Sequence, residues 1–452
     1  MIDTKILENH VLDETDRAKY LRKQILELVK EYTKQSHQSK LFIPGKTLVP
    51  ASGKVYGDYE LQTLVSSSLD FWLTSGRYNV EFEKQLSNFL GINFALTTNS
   101  GSSANLLALT SLTSDELGDK ALKPNDEVIA AAACFPTTVN PILQNNLVPV
   151  FVDVEIPTYN VNPESVEDAI TEKTKAIMLA HLLGNPFDIE KIIQIAKKHN
   201  LWVIEDCCDA LGATYNKKLV GTFGDIGTLS FYPAHQITMG EGGAVFTNNS
   251  KLKRIIESLR DWGRDCFCAP GKSNTCGKRF SWKLGDLPQG YDHKYTYSRL
   301  GYNLKITDMQ AAVGLAQIER IPEFVKKRKT NFNFLKQKLK SVEKFFILPE
   351  STLNSEPSWF GFPITIKNNS PFSREELIQF LSAKMIDTRP LFTGNITRQP
   401  YFNNKKYRIS GKLENTDTIM NQSFWIGVYP ALTEEMLSYV VEQIQQFTNQ
   451  FS

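Results

Sequence analysis

Between about Asp126 and Asn248, short apolar runs alternate with stretches whose apolar positions recur at helical spacing. The runs are EVIAAAA, PVFVDV, AIMLAH, LWVIED, GTLSFYP and GGAVFTN. Apolar runs of this length read as strands buried on both faces, and their alternation with helices predicts a mostly parallel sheet covered by helices. From Thr307 the pattern turns helical through DMQAAVGLAQIERIPEFVKKRKTNF, becomes mixed, and closes with the helical pattern EEMLSYVVEQIQQF. A second, smaller α+β domain joined by a long helix is expected. Near the start, Leu21, Ile25, Leu28, Val29 and Tyr32 fall at helical spacing and predict one amphipathic helix from about Asp13 to His37. The expected division is a helical extension over residues 1–50, a large domain over 51–320 and a small domain over 321–452.

Composition narrows the class. A chain of 452 residues with 41% apolar content buries a large core. Lys and Arg number 51 against 49 Asp and Glu, so the net charge of +2 gives no reason to expect nucleic acid or an anionic membrane as partner. The start, MIDTKILENHVLDETDRAKYLRKQ, is charged throughout and lacks the apolar core of a signal peptide, and no apolar run reaches the roughly 20 residues of a bilayer crossing. A cytosolic location is expected. Six cysteines are too few and too unevenly placed for a disulfide framework, so their clustering needs another explanation.

Four local features carry candidate chemistry. In NSGSSANLLALTSL, Gly101, Ser102 and Ser103 precede an apolar helical pattern; free backbone N–H groups and hydroxyls at a helix start make a phosphate cradle, though such a start is also an ordinary capped helix. In LWVIEDCCDALGA, a strand ends in Glu205 and Asp206, where α/β ligand clefts lie; Asp206 there holds a pyridine nitrogen protonated, or is a solvated strand end. In GTLSFYPAHQITMGEGGAVFTN, Ser230 and His235 lie on the turn after a strand, followed by glycines that allow close approach of a ligand. In WGRDCFCAPGKSNTCGKRF, Cys266, Cys268 and Cys276 share a short loop, with Cys208 beside Asp206 as a fourth thiol. Four thiolates suit an iron–sulfur cluster or zinc, although the paired CxxC knuckles of structural zinc sites are absent.

Together these segments, with FWLTSGRYNVEFEKQLSNFLG and LGYNLKITDMQAAVGLAQIERI, resemble the DegT/DnrJ/EryC1/StrS family of pyridoxal phosphate sugar aminotransferases from about Trp72 to the C-terminus. The resemblance implies the aspartate-aminotransferase-like type I fold. By position it implies that Gly101, Ser102, Ser103 and Ser230 contact the cofactor phosphate, that Asp206 partners the pyridine nitrogen and that Phe135 covers the ring. It further implies that Asn303 reaches the phosphate of a neighbouring subunit in a homodimer. His181 and Arg389 are candidate contacts to sugar or diphosphate, or surface residues.

The informative departure is at 235, where ordinary members carry the lysine that binds the aldehyde cofactor covalently. Imidazole cannot make that bond but can serve as a base. The chain therefore resembles the family's 3-dehydrase branch, in which pyridoxamine phosphate condenses with a 4-keto sugar, the residue at 235 removes a proton and the 3-hydroxyl is expelled. The spacing of Cys208, Cys266, Cys268 and Cys276 is similar to that of the iron–sulfur members acting on CDP-4-keto-6-deoxy-D-glucose. In those, a flavin and iron–sulfur reductase passes electrons from NAD(P)H through a 2Fe–2S cluster, on the route to surface-polysaccharide 3,6-dideoxyhexoses. A dTDP-linked 4-keto-2,6-dideoxy sugar is the alternative substrate, and a pyridoxal phosphate aminotransferase is disfavoured by His235. Cys134 and Cys207 fall outside the spacing and are expected to be packing residues.

Overall fold

A computed structural model describes residues 14–37 and 41–451. The charged start over residues 1–13, read above as lacking a signal peptide, lies outside the described residues.

Numbering the strands of the two main sheets in chain order, the large sheet contains β1 (Phe94–Thr98), β2 (Glu127–Ala131), β3 (Val148–Val152), β4 (Thr174–Ala180), β5 (Trp202–Asp206), β6 (Ile226–Ser230) and β7 (Gly243–Thr247). Its order is β1-β7-β6-β5-β4-β2-β3, extended at the β3 edge by a short strand from the C-terminal region, Arg408–Ile409. All neighbours pair in parallel except β7, which is antiparallel to both β1 and β6. The fully buried patterns of β3, β5, β6 and β7 follow from layers on both faces, as their uninterrupted apolar runs require. Because the strands run one way, their carboxyl ends open on one rim, where ligands of open α/β sheets bind.

The helices, in chain order, begin with α1 (Asp16–Ser36), α2 (Asp58–Asp70), α3 (Arg77–Leu90), α4 (Gly101–Ser111) and α5 (Pro136–Gln144). They continue with α6 (Pro163–Asp168), α7 (Ile189–Lys198), α8 (Ser250–Arg260), α9 (Asp308–Ile318) and α10 (Ile321–Leu339). On α7 the buried residues Ile189, Ile192, Ile195 and Ala196 form one stripe, and Asp188 caps the start by accepting from Lys191 N at 3.3 Å. A capping box of Thr307 and Gln310 opens α9.

The C-terminal region forms a second sheet in which Gly361–Ile366 pairs antiparallel with Phe346–Ile347 and with Ser423–Gly427. Its core draws on Leu335 and Leu339 of α10 and on Leu377, Phe424 and Ile444, and it also takes in Phe42 and Val49 from the segment after α1.

The amphipathic helix expected near the start is α1, but its inward face is not the apolar stripe. Leu21, Ile25, Leu28 and Tyr32 are exposed, while Arg22, Leu26 and Thr33 are buried. Arg22 fixes this rotation: its guanidinium donates to Asp70 Oδ1 at 2.9 Å, to Glu14 Oε1 at 2.6 Å and to the Ser66 carbonyl at 2.9 Å. A buried charge satisfied this fully outweighs a few apolar contacts, because leaving it unpaired costs several kcal/mol, about 3–5. Between α8 and α9 the chain runs from Asp261 to Thr307 without a helix or strand longer than the single 3₁₀ turn His293–Tyr295, and this loop carries Cys266, Cys268 and Cys276. Among the described residues, no helix is long and apolar enough to cross a membrane.

Candidate cofactor site

The strand ends converge on a cavity of about 510 Å³, within the range of cofactor and substrate sites. Gly101 and Ser102 at the start of α4, Phe135 at the start of α5, Asp206, Cys208, Ser230 and His235 all line it. The sequence-selected residues from four separate segments are thus brought to one place.

At the helix start, Ser100 is the N-cap and its Oγ accepts from Ser103 N at 3.1 Å. Among the described residues the N–H groups of Gly101 and Ser102 have no protein acceptor, and they head α4 where its dipole favours an anion. The Ser103 hydroxyl accepts from Ser100 Oγ at 3.0 Å and is not on the cavity wall, whereas Ser100 is. Residue 101 must be glycine here: a Cβ would sit 2.4 Å from the Ser230 Cβ and 3.1 Å from the Cys208 Sγ. That close approach puts the Ser230 hydroxyl beside the free amides.

Asp206 ends β5 and is 5% exposed. Its Oδ2 accepts from Asn105 Nδ2 and Thr138 Oγ1, each at 2.8 Å, and its Oδ1 from the Cys208 backbone N–H at 3.1 Å. Asn105 is itself fixed by Thr228 Oγ1 at 2.6 Å. No Lys, Arg or His lies within ion-pair distance of this carboxylate among the described residues. A buried carboxylate is costly without a counter-charge. Its orientation toward a lined, roomy cavity fits a cationic ring nitrogen supplied by a ligand, so the residues present suit a protonated pyridine bearing a phosphate. The sequence alone does not single out Asn105, inside the helix that follows the Gly101–Ser103 start, or Thr138 as site residues, because only the sheet brings them to Asp206.

Phe135 is half exposed and stands edge-on to Phe392, with ring centroids 5.8 Å apart and planes at 90°. His235 lies on the turn after β6; its Nδ1 is sealed among protein atoms and lies 3.5 Å from Asp209 Oδ1. Burial, reinforced by the Arg328 guanidinium, lowers the imidazole pKa to about 3 and keeps the ring neutral. Burial and the nearby Asp206 raise the Asp209 carboxyl to about 8. Asp209 was passed over in the sequence because nothing there distinguishes it from the acidic residues around it.

His181 lines the cavity, but its nitrogens are occupied. Nε2 faces Glu205 Oε2 at 3.1 Å, Nδ1 accepts from Phe187 N at 3.3 Å, and the ring stacks on Phe187. Glu205 also accepts from the amides of Gly221, Phe223 and Gly224. These two residues and Cys207 are the only group of three metal-ligand side chains gathered within 4.8 Å among the described residues, and their donors are already used within the protein. Arg389 reaches the wall from the C-terminal region, half exposed and paired with Asp387. Asn303 is exposed and off the cavity, bridged to Asp261.

The thiols divide into two places. Cys208 lines the cavity, while Cys266, Cys268 and Cys276 lie on the long loop. Cys266 and Cys268 are hydrogen-bonded to each other, and Cys268 Sγ is 3.0 Å from Thr275 Oγ1 beside Cys276. All four are free and partly accessible, a donor set of the kind iron–sulfur clusters use, but no three of them come within 4.8 Å of one another. Cys134 and Cys207 are buried packing residues.

Residues 56–445 match the DegT/DnrJ/EryC1/StrS aminotransferase family. The chain belongs to that family. Within it, the chain is 64% identical over 430 residues to the lipopolysaccharide biosynthesis protein RfbH of Salmonella typhimurium, covering 95% of this chain and 98% of that protein. It is 51% identical over 433 residues to dTDP-4-dehydro-2,6-dideoxy-D-glucose 3-dehydratase of Saccharopolyspora spinosa, covering 96% and 93%. The fold is that of this family: the E. coli GDP-4-keto-6-deoxy-D-mannose-3-dehydratase with bound hydrated PLP superposes with a TM-score of 0.79 at 30% identity, over 88% of this chain and 99% of that one.

Proposed function

We propose that this protein removes the 3-hydroxyl of a nucleotide-linked 4-keto-6-deoxyhexose using pyridoxamine phosphate, with CDP-4-keto-6-deoxy-D-glucose as substrate on a route to surface-polysaccharide 3,6-dideoxyhexoses. The observation that carries the reading is that a neutral imidazole, His235, shares one cavity with the buried carboxylate of Asp206, which is hydrogen-bonded but has no cationic partner among the described residues. A lysine at 235 would serve amino transfer; an imidazole serves proton transfer alone.

Pyridoxamine phosphate, when bound, supplies an amine for the sugar's 4-keto carbon and an electron sink for breaking the bond to the 3-hydroxyl. Asp206 would keep the ring nitrogen protonated. The amides of Gly101 and Ser102, with the Ser230 hydroxyl, would receive the phosphate, and Phe135 would shield the ring. With Nδ1 sealed against Asp209, His235 takes the proton through Nε2. Asn303 serves the phosphate of the second subunit in a homodimer.

The thiols of Cys208, Cys266, Cys268 and Cys276 would hold a 2Fe–2S cluster, which supplies single-electron transfer, and a separate flavin and iron–sulfur reductase would provide the electrons from NAD(P)H. The chemistry of the donor set supports this part of the reading; gathering the four thiols requires the loop to move over the cavity. The test pairs protein and pyridoxamine phosphate with CDP-, dTDP- and GDP-4-keto-6-deoxy sugars, with and without an NADH-dependent flavin reductase. Dehydration of the CDP sugar alone, and a 3-deoxy product only with the reductase, are expected. Accumulation of the 3-deoxy sugar without a reductase would contradict the role of the thiols. A second reading has one observation in its favour, the relative named for a dTDP-linked 2,6-dideoxy sugar; reaction of dTDP-4-keto-2,6-dideoxyglucose in place of the CDP sugar would select it.

A further inference from the structure

Arg328, on α10, is the largest of the fully buried side chains. No carboxylate lies within ion-pair distance of it among the described residues. Instead its guanidinium is spent on four main-chain carbonyls. Nη1 donates to Trp359 O and Phe360 O, both at 3.2 Å, and Nη2 donates to Ala234 O at 3.2 Å and His235 O at 3.1 Å. The first pair belongs to the segment entering the small domain's central strand, and the second pair to the turn that carries the imidazole. Gln236 repeats the link: its Nε2 donates to Ser358 O at 2.9 Å and to Asp209 O. The Phe360 ring lies 5.2 Å from the His235 ring, so the same segment also sets one wall of the imidazole.

Burying a guanidinium against carbonyls alone is an expensive way to make a hydrophobic contact, and a leucine or methionine would fill the space at lower cost. Burial lowers its pKa only to about 10, so it stays charged at neutral pH. Behind His235 is a small cavity, about 10 Å³ for the centre of a water molecule, lined by His235, Gln236, Arg328 and Lys54. His235 Nδ1, Gln236 Oε1 and Arg328 Nε are all sealed without a hydrogen-bond partner among the described residues. That is room for about one water beside groups that need one.

We propose that Arg328 is a positioning residue for His235: it ties the turn bearing the imidazole to Trp359 and Phe360, so that the base is aimed into the cavity only while the small domain is seated. This rests on the reading of His235 as the base. The charged and titratable groups that face it are Asp209 at Nδ1, Arg328 and Lys54 on the small cavity, and Asp206 and Glu241 on the large one. Arg328 is the cation among them that opposes protonation of the ring.

The experiment uses the full-length holoprotein and the variants R328Q and R328K. In R328Q the dehydration kcat should fall about 10²-fold with KM within about twofold, as misplacement of a reacting group does. The kinetic pKa of the base should rise by about one unit as the opposing charge is lost. In R328K the charge remains and the forked contacts do not, so kcat should fall about tenfold with the pKa unmoved. A residue that only supported the fold would lower the melting midpoint and leave the pH profile in place. Folded R328Q with wild-type kcat and pH profile would overturn the proposal; if R328Q does not fold, R328K with wild-type kcat would do the same. A second readout is independent of the sugar. In an H235K background, borohydride trapping of pyridoxal phosphate should become about tenfold slower when R328Q is added. Absence of dehydration by the wild type would sink the proposed function while this trapping comparison still decides the role of Arg328.

Discussion

Asp206, Ser230 and the Gly101–Ser102 helix start stand at the carboxyl ends of strands of one sheet, whereas Cys266, Cys268 and Cys276 stand on a loop that no sheet supports. The first group is buried or held by partners that are themselves held: Thr228 fixes Asn105, which fixes Asp206. The second group is partly exposed, with Cys268 held by little more than Thr275 and its neighbour Cys266. The strand ends and helix starts of the large sheet supply the Asp206, Ser230 and Gly101–Ser102 side of the cavity, and Phe360, Arg389 and Trp425 from the C-terminal region close the other side. The thiol set is not gathered by packing, so a metal centre there would have to supply its own ordering energy, as metal sites in irregular segments do.

The largest expected effect lies in the cavity. D206N keeps the shape but removes the charge that a protonated ring needs, and dehydration measured by single turnover should fall about 10³-fold. A loss under tenfold would mean the ring nitrogen is not met at Asp206. N105A leaves the carboxylate in place and removes one of its orienting donors, so about a tenfold loss in kcat is expected, with iron content unchanged. C266S and C276S sharpen the contrast from the other side: dehydration should stay within about twofold while iron and sulfide, assayed chemically after anaerobic reconstitution, drop to background. Stoichiometric zinc in the wild type, without iron, would replace the cluster by a structural site.

A smaller effect concerns pH. His235 is lowered to about 3 in the folded chain, so below about 6.5 the unfolded chain binds the proton that the native state refuses. Stability should fall as pH drops from 6.5 toward 3, with a slope from this residue of at most about 1.4 kcal/mol per unit. Asp209 acts with the opposite sign: its carboxyl, raised to about 8, stabilises most at low pH, and that contribution is lost as pH rises from its unfolded value toward 8. In the overlap the two slopes oppose each other. H235N should therefore unfold less steeply with acid than the wild type in urea titrations at successive pH values.

The same contrast explains what could be read from the chain alone. Apolar runs marked the strands, and a carboxylate or serine closing such a run lands on the ligand rim by the geometry of a parallel sheet, so Asp206, Ser230 and Gly101 were legible. The run of serines does not say which of them faces the cavity: the helix start places Ser100 and Ser102 on the wall and uses the Ser103 N–H for the cap. Asn105, Thr138 and Asp209 were hidden because their partners are remote in sequence. Arg328 sits in the run KKRK, where every cation looks solvent-facing, and its burial depends on carbonyls from two other segments. The face of α1 misled for the same reason, since hydropathy ranks Arg22 outside and its partners Asp70 and Glu14 put it inside.

The central claim is that His235 drives loss of the 3-hydroxyl rather than amino transfer. It is tested most directly with CDP-4-keto-6-deoxy-D-glucose carrying ¹⁸O at C3, incubated with the wild type or H235N and pyridoxamine phosphate, without a reductase. The wild type should release the label to water while H235N retains it. Label retained by the wild type, with an amino group appearing at C4, would contradict the account.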